Sequence, residues 1–207
     1  MKILLVPSVR ETFKKQFELS VDINLIKFLN FTFGNKIIIE ILKEKILKKP
    51  NLIILVGGNG LPNLEGGLHN SIRHKLNNIA YKYAVKRKIP VIGICLGAQF
   101  IGFKNNFMFK KKNFIGKHSV FLNENINFFK KKINKVNSFH NFMITKTNNQ
   151  FEFIYKTNDN SIELFKSKTK KILGMMWHPE RNKKFSSIDK KIFKGFYDNY
   201  NSFCRQR

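Results

Sequence analysis

The stretch Ile89–Phe100, reading Ile-Pro-Val-Ile-Gly-Ile-Cys-Leu-Gly-Ala-Gln-Phe, constrains this chain more than any other. The β-formers Ile89, Val91, Ile92 and Ile94 run into Cys95, with Gly93 two residues before it, Gly97 two after it and helix-compatible residues beyond. A strand that turns sharply into a helix needs small residues at those flanks, where backbone segments crowd, and it leaves the apex side chain projecting from the fold. At the start of a helix, Cys95 meets unpaired backbone N–H groups and the positive end of the helix dipole, which favour the reactive thiolate. The N–H of Leu96 then points at any negative charge that builds beside the sulfur, forming half of an oxyanion hole. Because a buried cysteine at a tight turn can carry the same five letters, the rest of the chain has to decide between packing and chemistry.

Read in order, the chain alternates strand and helix. Lys2–Val9 reads as a first strand, and Glu18–Phe33 as a helix with Leu19, Ile23, Ile26 and Leu29 at three- and four-residue steps. Asn35–Ile39 follows as a strand, Ile41–Lys49 as a short basic helix ended by Pro50, and Leu52–Val56 as an aliphatic strand suited to burial on both faces. That strand enters Gly57-Gly58-Asn59-Gly60-Leu61-Pro62, and Ser71–Arg87 reads as the helix before the cysteine turn. Short connections between alternating elements imply an α/β fold with a doubly wound, mostly parallel sheet, whose ligands bind beyond the carboxyl ends of its strands. Both the glycine loop and Cys95 lie at such ends. From Phe107 onward shorter β-rich pieces appear, His118–Leu122, Ile133–Asn137, Phe151–Lys156, Ser161–Phe165 and Lys171–Trp177, before an amphipathic helix over Ser187–Phe203. No repeat or biased linker divides the chain, so residues 1–207 are expected to form one domain.

Composition narrows the partners. Two cysteines, Cys95 and Cys204, far apart and without metal-ligand spacing, give neither a disulfide framework nor a zinc site, and point to a reducing compartment in which Cys204 serves packing. The beginning, Lys2-Ile3-Leu4-Leu5-Val6, is strand-like and carries no long apolar span, so a cytoplasmic protein without a membrane partner is expected. A formal charge of +26 would suit nucleic acid or an anionic substrate. The lysines, however, are spread over the whole chain, and the joint abundance of Lys, Asn, Ile and Phe is what A/T-rich coding produces regardless of function. With no RNA-reading motif beside them, nucleic acid is not the expected partner.

Trp177-His178-Pro179-Glu180 follows the apolar strand ending at Met176, again at a strand end. A thiol nucleophile needs a base, histidine has the pKa for it, and Glu180 can fix the imidazole's tautomer and orientation. Together, Gly93-Ile94-Cys95-Leu96-Gly97-Ala98-Gln99 and Trp177-His178-Pro179-Glu180 resemble the class I glutamine amidotransferase superfamily, whose triad runs Cys, His, Glu in that chain order. The resemblance covers Leu52–Arg181. It implies a flavodoxin-like sheet with a small β-rich excursion, Cys95 as nucleophile, His178 as base and Glu180 as orienter, with no metal and no cofactor. It also implies that Gly58 in the glycine loop is the second oxyanion donor beside Leu96, and that Gln99 contacts the glutamyl group.

Val136-Asn137-Ser138-Phe139-His140 and Ser161-Ile162-Glu163 resemble the gamma-glutamyl hydrolase branch, within which the ensemble looks closest to the gamma-glutamyl-CDP-amidate hydrolases that serve capsule phosphoramidate modification. His140 is then a candidate substrate-pocket residue, while Arg73 matches a recurrent arginine of the branch but reads more simply as a solvated helix face. Leu96 stands where that branch often has arginine, and Gly60 where it usually has aspartate. The implied function is hydrolysis of a gamma-glutamyl amide in a small-molecule substrate, and a nucleotide-linked leaving group would suit so basic a chain. The alternatives are a glutaminase subunit feeding ammonia to a separate synthetase partner, and a gamma-glutamyl-GABA hydrolase.

Overall fold

The computed structural model describes residues 1–58, 60, 66–123 and 133–205, with side chains as far as residue 198. In chain order these form β1 (Lys2–Val6), β2 (Ser8–Phe13), β3 (Gln16–Ser20), α1 (Ile23–Phe33), β4 (Ile38–Ile41), β5 (Leu52–Leu55), α2 (Leu68–Arg87), β6 (Val91–Ile94) and α3 (Leu96–Lys104). There follow β7 (Met108–Ser119), β8 (Phe121–Leu122), β9 (Lys135–Lys146), β10 (Phe151–Lys156), β11 (Ile162–Ser167), β12 (Ile172–Met175), a 3-10 turn at Pro179–Arg181, and α4 (Ser187–Arg205).

Eight strands make the main sheet in the order β4-β1-β5-β6-β12-β11-β10-β8. Neighbours from β4 to β12 pair in parallel and those from β12 to β8 antiparallel. Numbered among themselves, the parallel strands run 2-1-3-4-5, the flavodoxin-like order, with its reversal between β1 and β5. Alternation along each strand feeds two cores. Ile3, Leu5, Leu52 and Ile54 face Leu25, Phe28 and Phe193, whereas Leu4, Val6, Ile53 and Leu55 face Leu76, Ala80 and Ala84. Burial on both faces explains why these strands read as unbroken aliphatic runs.

Three expectations need correction. The first strand stops at Val6, because Pro7 has no N–H to give a ladder; beyond it Ser8–Phe13 pairs with Gln16–Ser20 as a separate hairpin. The helix expected over Glu18–Phe33 begins only at Ile23, where Asp22 caps it by accepting from Asn24 N at 2.8 Å. Leu19 falls on the helical spacing by coincidence and sits half-exposed on β3. No helix forms over Ile41–Lys49: Ile41 ends β4, and Leu42 N donates to Leu5 O at 2.9 Å and buries its side chain, leaving too few residues before Pro50 to sustain a nucleus. Of the later β-rich pieces, Phe151–Lys156 forms as expected, Lys171–Trp177 shortens to Ile172–Met175, and the strands at His118 and Asn137 are longer, since β7 and β9 form an extended antiparallel pair that is a sheet of its own. The side chain of Cys204, Asn59 in the glycine loop and Lys130–Lys132 lie outside the described residues. Among the described residues no helix is long and apolar enough to cross a membrane.

Candidate active site

β5, β6 and β12 are neighbours in the sheet, and each delivers one part of the site just past its carboxyl end: Gly57-Gly58, Cys95 and His178. The register aligns Leu55 with Gly93 and Met175 with Ile94, so residues far apart in sequence emerge side by side. Cys95 sits at the apex with φ 48° and ψ −105°, a conformation that L-residues rarely adopt. Its N–H donates to Met175 O at 2.7 Å, tying the turn to β12. Both glycine flanks are sterically required. A Cβ on Gly93 would lie 2.5 Å from the Gly97 carbonyl carbon, and one on Gly97 would lie 2.1 Å from Leu55 O.

The imidazole of His178 is buried, with Nδ1 2.6 Å from Glu180 Oε1, and the Cys95 side chain lies close enough to act on its charge. With Nδ1 committed to the carboxylate, Nε2 is the nitrogen left for the sulfur. Gly57 lies against both groups, since a Cβ built there would be 2.8 Å from His178 Cε1 and 3.6 Å from Cys95 Cβ. Burial disfavours the imidazolium, but the Cys95 sulfur and the Glu180 carboxylate outweigh it and raise the His178 pKa to about 9. At neutral pH the site thus holds a cation between two potential anions. Asn137 fixes the backbone beneath, because both its carbonyl O, at 3.2 Å, and its Oδ1, at 2.9 Å, accept from His178 N.

Arg73 is not on a solvated face. It is 3% exposed, lies directly behind Gly58, and donates from one terminal nitrogen to Gly60 O at 2.5 Å and to Asn70 Oδ1 at 3.1 Å. The arginine therefore shapes the glycine loop from within. A cavity of about 630 Å³ opens at the sheet's reversal point, walled by Ser8, Gly57, Gly58, Arg73, His178 and Glu180. The β2–β3 hairpin contributes Arg10 and Glu11 to its rim.

Gln99 and His140 take other places. Gln99 is buried and donates from Nε2 to Phe142 O at 2.8 Å, fastening α3 to β9. His140 lies with Glu163: its Nε2 is 3.6 Å from Glu163 Oε1, and His118 Nε2 is 3.4 Å from Oε2. Ser161 and Ser138 hydroxyls donate to the same fully buried carboxylate at 2.9 and 3.1 Å. Burial pushes the Glu163 pKa up, but the His118 and His140 imidazoles beside the carboxylate prevail and bring it down to about 2. Between those partners, alternate β9 residues turn back to the site, where Phe139 O lies 3.7 Å from Cys95 Sγ and the Phe139 ring 6.0 Å from that of His178. In the sequence Asn137 and Glu163 stand out only as marks of resemblance; the fold shows that one holds the backbone N–H of His178 and the other the strand beside it. No local signal in the sequence distinguishes Arg73 from the other basic residues of α2.

A flavodoxin-like sheet with a cysteine on a strand–helix apex and a carboxylate-bound histidine at the adjacent strand end defines an α/β enzyme-type site built around a thiol. The class-I glutamine amidotransferase family matches residues 21–199, and the chain belongs to it. A gamma-glutamyl-CDP-amidate hydrolase of Campylobacter jejuni subsp. jejuni is 37% identical over 137 residues, covering 66% of this chain and 65% of that relative, just under two thirds of its length. Among solved structures, a Thermoplasma acidophilum protein assigned to GMP synthase superposes with TM-score 0.72 at 21% identity, over 99% of this chain and 96% of that one. A glutamine amidotransferase of Thermotoga maritima gives 0.64 at 15% identity, over 99% and 84% respectively. These two likenesses bear on the fold alone.

Proposed function

We propose that this protein hydrolyses a gamma-glutamyl amide bond through a triad of Cys95, His178 and Glu180. The observation that carries the reading is the wedging of Gly57 against both Cys95 and His178, with His178 Nδ1 held on Glu180. Cys95 Sγ attacks the delta carbonyl carbon, forming a C–S bond and an oxyanion that the N–H groups of Leu96 and Gly58 receive. His178 passes its proton to the leaving nitrogen as the C–N bond breaks. Water then adds to the thioester while His178 takes its proton, and breaking the C–S bond releases glutamate and restores the thiol. Each oxyanion donor of this kind is worth about 3 kcal/mol of barrier.

The finer reading follows the Campylobacter relative, whose name specifies gamma-glutamyl-CDP-amidate. On that reading the leaving nitrogen bears a cytidine diphosphate, and the enzyme acts in the cytoplasm during capsule phosphoramidate synthesis. The purified protein, assayed for glutamate release against glutamine, gamma-glutamyl-GABA and gamma-glutamyl-CDP-amidate, should turn over the nucleotide-linked compound unaided and prefer it. Activity on glutamine that appears only with a synthetase present would overturn this in favour of an ammonia-supplying subunit. Turnover that survives Cys95→Ala would overturn the mechanism.

A further inference from the structure

A second cavity, of about 830 Å³, shares Arg181 with the first and is bordered by Phe139 and Trp177. Its lining carries Lys117, Lys135, Arg181, Lys183 and Lys184 against a single acid, Asp189. Asp189 is buried, and its oxygens accept from Trp177 Nε1 at 3.0 Å and Asn182 Nδ2 at 3.4 Å, so that carboxylate is already engaged within the protein. The overall basicity of the chain does not account for this imbalance. The cavity beside Gly57 belongs to the same basic chain, yet it sets Arg10, Arg73 and Arg181 against Glu11, Asp22 and Glu180.

The basic cavity also reaches the chemistry. Arg181 follows the His178 turn and stacks its guanidinium 5.1 Å from the Phe139 ring centre, while that ring lies 6.0 Å from the His178 ring. When a phosphoryl group is carried on the scissile nitrogen itself, its charge begins one bond beyond the atom that His178 protonates. A site for it must therefore abut His178, and the cationic cavity does so across one aromatic ring.

We propose that this second cavity binds the diphosphate of a nucleotide-bearing leaving group, with Arg181 at its inner edge and Lys117, Lys135, Lys183 and Lys184 around it. The proposal rests on the gamma-glutamyl hydrolase reading for what the diphosphate is attached to, but not for the binding of a nucleoside diphosphate as such. Arginine offers a planar fork for two phosphate oxygens, while the lysines act as point charges that neutralise the remainder.

Calorimetric titration of the full chain with cytidine diphosphate tests this without requiring turnover. The pairs K183A/K184A and K117A/K135A remove exposed side chains and should retain the wild-type melting temperature. Each is expected to weaken binding at least ten-fold, whereas K82A/K86A, which removes the same charge from exposed positions on α2 outside both cavities, should leave it unchanged. The same cavity pairs should raise KM for gamma-glutamyl-CDP-amidate about ten-fold and leave the rate on an uncharged gamma-glutamyl amide as it was. Equal loss in the control pair, unaltered affinity in the cavity pairs, or binding of a charge-matched oligonucleotide as tight as that of the nucleotide would each overturn the proposal. Cavity-dependent nucleotide binding in a protein that hydrolyses no gamma-glutamyl compound upholds the subsite and overturns the hydrolase reading. Hydrolysis with unaltered nucleotide affinity in the cavity pairs does the reverse.

Discussion

His178 Nδ1 and Glu180 Oε1 stand 2.6 Å apart, both side chains buried, with only Pro179 between them in sequence. The short connection means that one 3-10 turn positions both the imidazole and its acceptor, so the ring and the carboxylate that orients it move together. Glu180→Gln keeps the shape but gives up the charge. It is expected to lower kcat by roughly 10²- to 10⁴-fold while leaving residual turnover, because orientation and charge supply only part of the barrier. Cys95→Ala, assayed beside it by glutamate release, should show none.

The proton on His178 sets a pH window. Its folded pKa of about 9 lies above the ordinary 6.5, so the stability it contributes is fully present below 6.5 and is lost as pH rises through about 9. The proton needed by the leaving group is lost over the same range. A pH profile of kcat/KM should therefore fall on its alkaline side with a midpoint near 9, and Glu180→Gln should move that limb to lower pH.

Gly57→Ala places a methyl group 2.8 Å from His178 Cε1, and Gly97→Ala places one 2.1 Å from the backbone oxygen of Leu55. The ring can tilt away, but the backbone of a buried strand cannot. The first variant should fold and lose at least 100-fold in kcat through a displaced imidazole, in keeping with the sensitivity of catalysis to small misplacements. The second should instead lose melting temperature, by differential scanning calorimetry, before its activity becomes measurable.

Glu163 carries no step of the proposed reaction but anchors β9. Glu163→Ala leaves two serine hydroxyls without their common acceptor, removes the carboxylate that faces His118 and His140, and should cost about 3 kcal/mol. For a chain of this size that corresponds to a fall of roughly 6–12 °C in Tm. Its folded pKa is depressed to about 2, so its contribution is present above the ordinary 4.5 and is lost as pH falls through about 2. The variant's deficit should accordingly shrink over that acid range.

The parallel half of the sheet is readable because strands covered on both faces, such as Leu52–Leu55 and Val91–Ile94, carry only aliphatic residues and glycine. The strand-end positions of Cys95 and His178 are readable for a related reason, since in such sheets ligands bind beyond the carboxyl ends of the strands. Half-exposed strands carry a weaker pattern. β2 and β3 bury little beyond Val9, and Leu19 can be mistaken for a helix position. Arg73 is misread because burial of a charge depends on acceptors that arrive from elsewhere, here Gly60 O and Asn70 Oδ1. The placement of Gln99 on the Phe142 carbonyl and of His140 on Glu163 likewise depends on where β9 lies, which pairing decides and local periodicity does not.

The backbone angles at Cys95 mean that the molecule is less durable than it would be with no Cβ at that position. A residue with a Cβ held at φ 48° and ψ −105° stores on the order of 1–3 kcal/mol, which glycine would not incur. Of two inert proteins, Cys95→Gly should therefore melt later than Cys95→Ala. Any laboratory selection for heat tolerance alone would drift toward glycine at this position, and so away from the sulfur on which the proposed reaction depends.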